Sequence, residues 1–275
     1  MPGHLYIVST PIGNLGDLSP RAVKTLAGVH LVLAEDTRHS APMLEGVGVK
    51  TPLQSYHEHK EARATPAIVA RLQAGEDIAL ISDAGTPLLS DPGARLVRAA
   101  LDAGIPVVPI PGASALLAAL VASGLGCDRF TFYGFLPRKG RERDELLRVI
   151  VALRHTAVIY EAPNRVAATL AALDAAGAGE RDAAVARELT KRFEEVRRGT
   201  VRELSRYHEG SPPRGEVVIV LAGAGPGATI SEAEARHRAR TLRDAGASAR
   251  EVTRTLVEEH GLARNLAYRL THEPE

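Results

Sequence analysis

Leu80-Ile-Ser-Asp-Ala-Gly-Thr-Pro-Leu-Leu-Ser-Asp-Pro-Gly93 is the stretch around which this chain is organised. It begins where an apolar run over residues 77–81 ends. Such a run is typical of a buried parallel strand. Near its end, Asp91 precedes Pro92, and this pair predicts a helix whose first turn contains Pro92 and whose N-cap is Asp91. Between the predicted strand and the predicted helix, most residues are glycine, proline or other small residues. Open α/β sheets bind ligands where a strand opens into such a loop.

The loop by itself predicts a small polar ligand. Asp83 and Thr86 can accept and donate hydrogen bonds, and Gly85 lets a ligand approach the backbone closely. The loop lacks the order G-x-G-x-x-G, and no predicted strand is followed by G-x-x-x-x-G-K-[ST]. Neither a usual dinucleotide-binding loop nor a P-loop is therefore indicated. An ordinary strand-to-helix turn is the simpler alternative for this loop alone.

Length and composition indicate a globular α/β protein of two domains. The chain has 275 residues, of which 45% are hydrophobic, and a net charge of +1, which favours neither nucleic acid nor an acidic substrate. Its one cysteine, Cys127, excludes an internal disulfide and is expected to be a small buried residue. No apolar run approaches the ~18 residues that span a bilayer. The N-terminus runs directly into a predicted strand, so we expect no signal peptide and a cytosolic location.

The first half alternates strands and helices. Strands are predicted at 5–9, 30–34, 77–81 and 106–110, and helices at 20–27, 61–74 and 93–103. This alternation predicts a parallel sheet with helices on both faces. A further run at 114–123 is almost wholly apolar and is expected to be a buried helix that leaves the first domain.

The second half predicts a mixed sheet and a helical tail. Strands are expected at 129–134, 157–160, 183–187, 193–199 and 216–221, with helices at 143–153 and 166–176. The charged strand at 193–199 suits an exposed antiparallel edge. Residues 223–227 form a glycine-rich linker, and three short helices follow, the first with a capping box at Ser231. We expect domains at 1–123 and 124–224 and a tail at 225–275.

Four strands of the first half end in loops that are rich in small or polar residues. Besides 82–93, these loops are Ser9–Asp17, Ala34–His39 and 110–115. Because parallel strands end at the same edge of a sheet, the loops are expected to converge on one cleft. A metal at His57 and His59 is not expected, because these two histidines, if on a strand, share one face without a third ligand.

Two loops of the second half combine a carboxylate with a cation. They are Tyr160-Glu-Ala-Pro-Asn-Arg165 and Arg187-Glu-Leu-Thr-Lys191, and each follows a predicted strand. Such a combination can orient a polar substrate or move a proton. The alternative is a pair of salt-bridged surface loops, which are common and contribute little to stability.

Taken together, these motifs resemble the tetrapyrrole-methylase superfamily of S-adenosylmethionine-dependent methyltransferases. Within it, the sequence is similar to the ribosomal RNA small subunit methyltransferase I family, which methylates the ribose 2′-hydroxyl of a cytidine in the decoding region of 16S RNA. The resemblance runs from residue 4 to about 222, and Asn164 departs from the histidine expected there. The matching stretches are Thr10-Pro-Ile-Gly-Asn-Leu-Gly-Asp17, Ala34-Glu-Asp-Thr-Arg38, Ser82-Asp-Ala-Gly-Thr-Pro87, Ser90-Asp-Pro-Gly93, Pro109-Ile-Pro-Gly-Ala-Ser114, Gly134-Phe-Leu-Pro137, Tyr160-Glu-Ala-Pro163 and Arg187-Glu-Leu-Thr-Lys191.

The resemblance implies S-adenosylmethionine as cofactor, held in a cleft between two domains, a homodimer, and 16S rRNA of the small subunit as substrate. It also implies that backbone groups hold most of the cofactor, with the strand after Gly215 near the adenine. By family position, the expected cofactor contacts are Pro11, Asp83, Gly85, Thr86, Pro87, Leu88, Ser114, Ala115 and Tyr160.

The expected chemistry also needs a proton acceptor and an RNA surface. A ribose hydroxyl is a poor nucleophile whose proton must leave, so a carboxylate or a neutral amine would help. Asp17, Asp36, Glu161 and Lys191 are candidates, and the last two are favoured because their loops face the cleft. The net charge of +1 gives the chain no general affinity for RNA. Local patches of basic side chains must therefore bind it. The expected phosphate contacts are Arg38, the cluster from Arg138 to Arg143, which includes Lys139, and Arg165; the arginine-bearing tail is a further candidate.

Two alternatives stay open. The first is a methyltransferase of the same fold that acts on a tetrapyrrole or a protein residue. The second is a non-catalytic RNA-binding or ribosome-assembly factor that keeps the fold. The intact cofactor loops argue against the second, because a protein that only binds RNA has no use for them.

Overall fold

The structure is a computed structural model that describes residues 1–225 and 231–272. Two five-stranded sheets and a helical tail follow one another along the chain. The expected α/β fold, with one parallel and one mixed sheet, is confirmed. The domain boundaries at 123/124 and 224/225 stay predictions. No helix in the described ranges is long and apolar enough to cross a membrane.

The first sheet is parallel throughout, in the order β3-β2-β4-β1-β5. Its central strands are apolar on both faces, so each face carries a separate hydrophobic core beneath its helices. The elements of this half are β1 (Leu5–Val8), α1 (Pro20–Gly28), β2 (Leu31–Ala34), α2 (Thr37–Gly46), β3 (Leu53–Ser55), α3 (Glu58–Gln73), β4 (Ile78–Leu80), α4 (Ala94–Asp102), β5 (Val107–Ile110) and α5 (Ala115–Ser123).

Two elements of this half were not predicted from the sequence. Strand β3 has only three residues and lies at the edge of the sheet, so it lacks a long apolar run. Helix α2 begins within the polar segment after β2 and contains Pro42. Asp36 caps it, since the Asp36 carboxylate accepts a hydrogen bond from the Arg38 backbone N–H at 2.9 Å.

The two neighbouring histidines lie at the start of a helix. His57 is the N-cap of α3 and His59 lies in its first turn, with their ring centroids 6.0 Å apart. In the ranges that the structure describes, no group of three or more His, Cys, Asp or Glu side chains is arranged to hold a metal ion.

The second sheet has the order β6-β7-β10-β8-β9 and is mixed, because β6 pairs in parallel with β7 and the other pairs are antiparallel. The charged strand β9 lies at the antiparallel edge, as predicted. Helix α8 was missed, although Thr200 and Glu203 form a capping box at its start. The elements are β6 (Phe130–Phe135), α6 (Arg141–Ala152), β7 (Thr156–Glu161), α7 (Val166–Leu173), β8 (Asp182–Arg187), β9 (Glu195–Thr200), α8 (Val201–Gly210) and β10 (Val217–Leu221).

Helix α5 joins the two halves. Leu116 and Leu120 pack in one hydrophobic cluster with Val158 and Val218 of the second sheet, so the helix covers that sheet. The expectation that the whole helix is buried is wrong, because Leu117 is 50% exposed and Val121 is 71% exposed on its outer side. Cys127, just beyond this helix, is also exposed rather than buried.

The tail folds around a core of its own. Its three helices are α9 (Glu232–Asp244), α10 (Ala249–His260) and α11 (Arg264–His272), which confirms the predicted short helices. Seven buried side chains, all from this segment, form the core. The predicted capping box at Ser231 and Glu234 is confirmed. The predicted linker at 223–227 falls partly outside the described residues.

The start of α4 differs from the sequence prediction. The helix begins at Ala94, its N-cap is Gly93, and neither Asp91 nor Pro92 lies in it. The capping acceptor comes instead from α3, because the Glu61 carboxylate accepts hydrogen bonds from the backbone N–H of Gly93 at 3.0 Å and of Arg95 at 3.1 Å. A cap supplied from 32 residues away cannot be identified in the local sequence. Asp91 is thereby left to face the cleft.

Glu61→Ala is therefore expected to lower the free energy of unfolding by about 1–2 kcal/mol, because it leaves two helix N–H groups without an acceptor. Urea unfolding measures the change. Arg63→Ala, at an exposed position on the same helix, is the control and should change stability by less than about 0.5 kcal/mol. Equal stability of Glu61→Ala and Arg63→Ala would contradict this assignment of the cap.

Candidate active site

A cleft lies at the carboxyl ends of the parallel strands, where the first sheet meets the second. The cavity has a volume of about 330 Å³, which is within the range of small-molecule sites. Loops after β1, β4 and β5 supply one wall, and β6, β7 and β10 supply the other. The lining residues are Ile12, Asp83, Ala84, Gly85, Thr86, Leu89, Ser90, Asp91, Ala115, Phe135, Tyr160, Glu161, Ala162, Pro163, Gly215, Glu216, Val217 and Val218.

Hydrogen bonds lock the strand-end loops of the first half together. Thr10 and Gly85 form an antiparallel bridge, with the Thr10 N–H donating to the Gly85 carbonyl at 2.8 Å and the Gly85 N–H returning a bond of 3.1 Å. The Ser9 hydroxyl donates to the Thr86 hydroxyl at 3.2 Å, which in turn donates to the Ala113 carbonyl at 3.1 Å. Three loops from distant parts of the sequence are thus held as one surface, as their position at one sheet edge predicted.

Gly85 keeps this surface open. Its φ of +83° lies in the left-handed region that disfavours other residues. A Cβ atom there would lie 3.3 Å from Ile12 Cγ2 and 3.7 Å from the Ala113 carbonyl oxygen. The absence of a side chain therefore preserves both the turn and the space on the cleft side of the backbone.

The opposite wall is aromatic. Tyr160 makes an edge-to-face contact with Phe132, with ring centroids 4.7 Å apart, and a tilted contact of 5.6 Å with Phe135. Its hydroxyl accepts a hydrogen bond from the backbone N–H of Leu116 at 3.2 Å, which ties this wall to the start of α5. Burial raises the pKa of Tyr160, so its hydroxyl stays neutral. Phe135 was not predicted as a site residue.

The charged residues that line the cleft are all acidic. Asp83, Asp91, Glu161 and Glu216 are among the lining residues, and within residues 1–225 and 231–272 no lysine, arginine or histidine is. Burial raises the pKa of Asp91 to about 6, and the charges of Glu35, Asp83 and Glu216 contribute to the shift. The structure thus places a half-buried carboxylate here, at a position that the sequence assigned to a helix cap.

Backbone strain flanks the cleft on both sides. Leu88 and Ser90 have φ of 73° and 68° in the loop before α4, and Glu188 and Thr190 have φ of 50° and 67° in the loop after β8. Left-handed conformations at residues other than glycine are uncommon, cost energy and cluster at ligand-binding sites. Both loops contain motifs that predict a ligand site, residues 82–93 and 187–191.

A second cavity of about 410 Å³ adjoins the first and shares Ile12, Asp83, Ala84 and Glu216 with it. Lys191 lies at this junction, and its ammonium donates to Glu188 Oε1 at 3.0 Å and to Glu216 Oε2 at 3.1 Å. Burial alone lowers the pKa of Lys191, but the hydrogen bonds to the two glutamates outweigh it and raise the pKa above its usual value. Lys191 is therefore a fixed positive charge rather than a proton acceptor at neutral pH.

Gly13 makes room for this lysine. A Cβ atom at Gly13 would lie 2.7 Å from Lys191 Cε, so a larger residue would displace the side chain. Pro11 and Ile12, which precede this glycine, line the same second cavity. The loop after β1 thus forms the floor between the two cavities.

The carboxylate of Glu161 is fully engaged with its own loop. Its side chain is 0% exposed. Oε1 accepts from the Ala162 N–H at 2.9 Å and lies 3.2 Å from Arg165 Nε, and Oε2 accepts from the Thr169 hydroxyl at 2.5 Å. These contacts fix the segment between β7 and α7 that borders the cleft.

The remaining predicted cofactor residues are only partly gathered. Ser114 is buried beside the lining residue Ala115, and its hydroxyl has no hydrogen-bond partner in the part of the chain that the structure describes. Pro87 is not among the residues lining the cavity, and Leu88 packs against the hydrophobic core beneath α3 and α4. Asp83 lines the cleft and accepts a hydrogen bond from the Asp36 N–H at 3.1 Å.

Three of the predicted RNA contacts belong to one neighbourhood, because Arg165 donates to the carbonyl of Pro137, which directly precedes Arg138 and Lys139. The Arg38 side chain is 89% exposed and forms an ion pair of 2.6 Å with Asp36. Arg138 and Lys139 are exposed in the turn before α6. Arg165 is half-buried and donates to the carbonyls of Leu136 and Pro137. Their roles in binding stay predictions.

Comparison with known proteins identifies the family. A family model described as Tetrapyrrole (Corrin/Porphyrin) Methylases matches residues 4–205. The chain is 48% identical over 275 residues to Ribosomal RNA small subunit methyltransferase I of Synechocystis sp., covering 99% of each chain. It is 51% identical over 221 residues to the protein of that name from Mesorhizobium japonicum, covering 80% of this chain and 75% of the relative.

Solved structures share the fold. A uroporphyrin-III C-methyltransferase from Thermus thermophilus, described as complexed with S-adenyl homocysteine, aligns with a TM-score of 0.58 and 19% identity over 80% of this chain and 97% of that chain. A diphthine synthase aligns with a TM-score of 0.60 and 15% identity over 80% of this chain and 89% of that chain. At these identities the likeness concerns the fold alone.

Asp91→Asn is expected to stabilise the free protein more at about pH 8 than at about pH 4. The folded protein keeps the Asp91 proton up to about pH 6, whereas the unfolded chain releases it near pH 4. Wild-type stability therefore falls as pH rises through this window, and asparagine avoids that penalty. After discounting for partial exposure, the difference is about 1 kcal/mol.

Urea unfolding at the two pH values measures the effect. Asp128→Asn, at an exposed position, controls for the general loss of one negative charge. An Asp91→Asn effect that is the same at both pH values would show that the site does not penalise the ionised carboxylate.

Proposed function

This chain belongs to the ribosomal RNA small subunit methyltransferase I family of tetrapyrrole methylases, and on that premise we propose that it transfers a methyl group from S-adenosylmethionine to the ribose 2′-hydroxyl of a cytidine in the decoding region of 16S rRNA. Membership of this methyltransferase family supports the reaction class. The identity of the nucleotide and of the oxygen that accepts the methyl group is our proposal.

The observation that carries the proposal is the charge of the cleft. Asp83 and Asp91 line a partly apolar cavity to which the described residues contribute no lysine, arginine or histidine, while the two glutamates of the lining, Glu161 and Glu216, are paired with Arg165 and Lys191 just outside it. Such a cavity repels phosphate groups and attracts a cation. S-adenosylmethionine fits it, because it carries a sulfonium and an ammonium, and it has an apolar adenine for the aromatic wall.

Several residues of this chain would hold the donor. The backbone at Gly85 and Thr86 is open to the cleft, and the unpaired Ser114 hydroxyl beside Ala115 can bond a polar group. We assign the cationic part to the carboxylate of Asp91. Tyr160, Phe135 and the strand after Gly215 form the apolar wall for the adenine.

The donor supplies a methyl group on a sulfonium, and an oxygen takes that group by in-line displacement, so positioning provides most of the rate. We propose that Lys191 faces the acceptor oxygen from the junction of the two cavities, where its fixed positive charge stabilises the negative charge that develops on that oxygen. As the O–CH3 bond forms and the S–CH3 bond breaks, the hydroxyl proton passes to solvent water and the donor's sulfur leaves as a neutral thioether. Glu161 positions the loop at 160–165 through its internal bonds. Asn164, exposed in this loop, has no assigned role.

The proposed substrate is 16S rRNA in the small subunit, contacted by Arg38, Arg138, Lys139 and Arg165. The last of these is held by the carbonyls of Leu136 and Pro137, so its guanidinium would act from a fixed position. We also propose a homodimer that works in the cytoplasm, where ribosomes are assembled.

Transfer of labelled methyl from S-adenosylmethionine tests the function. Small ribosomal subunits from cells lacking this protein should accept label on one cytidine ribose, identified by nuclease digestion and mass spectrometry. Free 16S rRNA and a uroporphyrin precursor are parallel acceptors. Label on the tetrapyrrole would favour the same-fold alternative. Tight cofactor binding with no label in any acceptor would refute the proposed acceptor.

Three variants separate the assigned roles. Asp91→Asn should weaken S-adenosylmethionine binding, measured by calorimetry, by about tenfold, because it removes a half-buried charge pair worth 1–3 kcal/mol. Lys191→Met and Glu161→Gln should keep cofactor affinity within about threefold and lower single-turnover methyl transfer by about 100-fold.

Asp17→Asn provides the control, since Asp17 lies on the loop after β1 but lines neither cavity. It should retain both cofactor affinity and rate. Wild-type rates in both Lys191→Met and Glu161→Gln would remove these two residues from the mechanism and leave the cofactor assignment intact.

A further inference from the structure

We propose that the groove between α10 and α11 of the tail binds single-stranded RNA, with arginines on its phosphates and Tyr268 stacked on a base. This surface lies outside the residues that the family model matches. The inference rests on the proposed function only in taking RNA as the ligand, and it concerns a surface separate from the methyl-transfer cleft.

The tail is a pre-organised platform. Three residues, 261–263, join α10 to α11, and Gly261 ends α10 in a left-handed conformation with φ of 64°. Ser248 and Glu251 form a capping box at the other end of α10. Val252, Leu256 and Leu270 are buried in the shared core, so the outward positions of both helices are held in place.

Cationic side chains line the groove at helical spacing. Arg250 and Arg254 are four residues apart on α10, and Arg264, Tyr268 and His272 follow the same spacing on α11. Residues four apart share one face of a helix, so the two rows face each other across the groove. The space between them is about 1040 Å³.

The three arginines of the groove have no ion-pair or hydrogen-bond partner within 1–225 and 231–272. Of the two glutamates that line it, Glu251 is engaged, because its carboxylate accepts hydrogen bonds from the Ser248 hydroxyl and N–H. Elsewhere in the tail, Arg269 pairs with Glu232 at 3.3 Å. The groove thus carries three arginines against two glutamates, Glu251 and Glu258, which gives it a net charge of +1 with histidine neutral.

An exposed aromatic platform completes the groove. Tyr268 is 59% exposed, and its ring makes a tilted contact with His272, with centroids 4.1 Å apart and planes 30° from parallel. The His272 ring is itself held through a 2.9 Å contact between Nδ1 and the Tyr268 carbonyl. An aromatic face beside unpaired arginines is the arrangement that proteins use to bind unstacked bases and their phosphates.

RNA suits this groove better than a protein partner does. Protein interfaces are built around a buried apolar or aromatic centre. Here Val257 is the one aliphatic side chain larger than alanine in the lining, and it is already half-buried. A single RNA strand whose phosphates lie along the two helices can contact all three arginines of the groove.

Fluorescence anisotropy with the full chain and a labelled twelve-nucleotide oligouridylate tests the inference. The double variant Arg250→Ala with Arg254→Ala should weaken binding at least tenfold at low salt. It should also reduce the slope of log affinity against log salt by about 1.4, because two phosphate contacts are lost on single-stranded RNA. Tyr268→Ala should weaken binding about tenfold with an unchanged slope.

Arg269→Ala is the matched control, because it removes one arginine of α11 that pairs with Glu232 instead of lining the groove. It should keep affinity within about twofold. All variants should keep the far-ultraviolet circular dichroism and the S-adenosylmethionine affinity of the wild type.

Unchanged RNA affinity in both groove variants would overturn the inference. An equal loss in Arg269→Ala would do the same, since it would point to general charge rather than the groove. Variants that keep oligouridylate binding but fail to associate with small subunits would assign the surface to a protein partner instead. Groove-dependent RNA binding without methyl transfer to any RNA would uphold the inference and refute the proposed function.

Discussion

The bridge between Thr10 and Gly85 is the interaction on which the site depends. It pairs two backbone segments at the ends of adjacent parallel strands, β1 and β4, and the Thr86 hydroxyl extends the connection to the loop after β5. Loops at the edge of a parallel sheet are otherwise held only at their ends. Here they form one surface with fixed donors and a glycine where a ligand must come close.

Electrostatics divides the cleft into two regions. The cavity beside the aromatic wall carries carboxylates alone, and burial together with their mutual repulsion raises the pKa of Asp91 to about 6. At the junction with the second cavity, Lys191 forms ion pairs with two glutamates, so that a positive charge lies among the carboxylates. A cationic methyl donor and an acceptor that must lose a proton need these two environments side by side. The four strained residues at 88, 90, 188 and 190 lie on the loops that form them.

Glu61 and Asp91 show how a local pattern can mislead. Asp-Pro before an amphipathic run is a good helix start by local chemistry, yet the chain places Gly93 at the cap and supplies the acceptor from α3. Because Glu61 caps the helix, the Asp91 carboxylate is left to line the cleft. The sequence left the element that contains His57 and His59 open, since two alternating residues cannot distinguish a short strand from the first turn of a helix.

The sequence by itself determined the sheet types, the strands that are apolar on both faces, the charged edge strand, the family and the strand-end loops of the site. These follow from periodicity and from glycine and proline positions, which act over a few residues. Only the tertiary structure decided that Asp91 lines the cleft, that Glu161 is enclosed by its own loop, that Lys191 keeps its proton and that Cys127 is exposed. Burial and ion pairing depend on partners far apart in the chain, and no local pattern encodes such a partner.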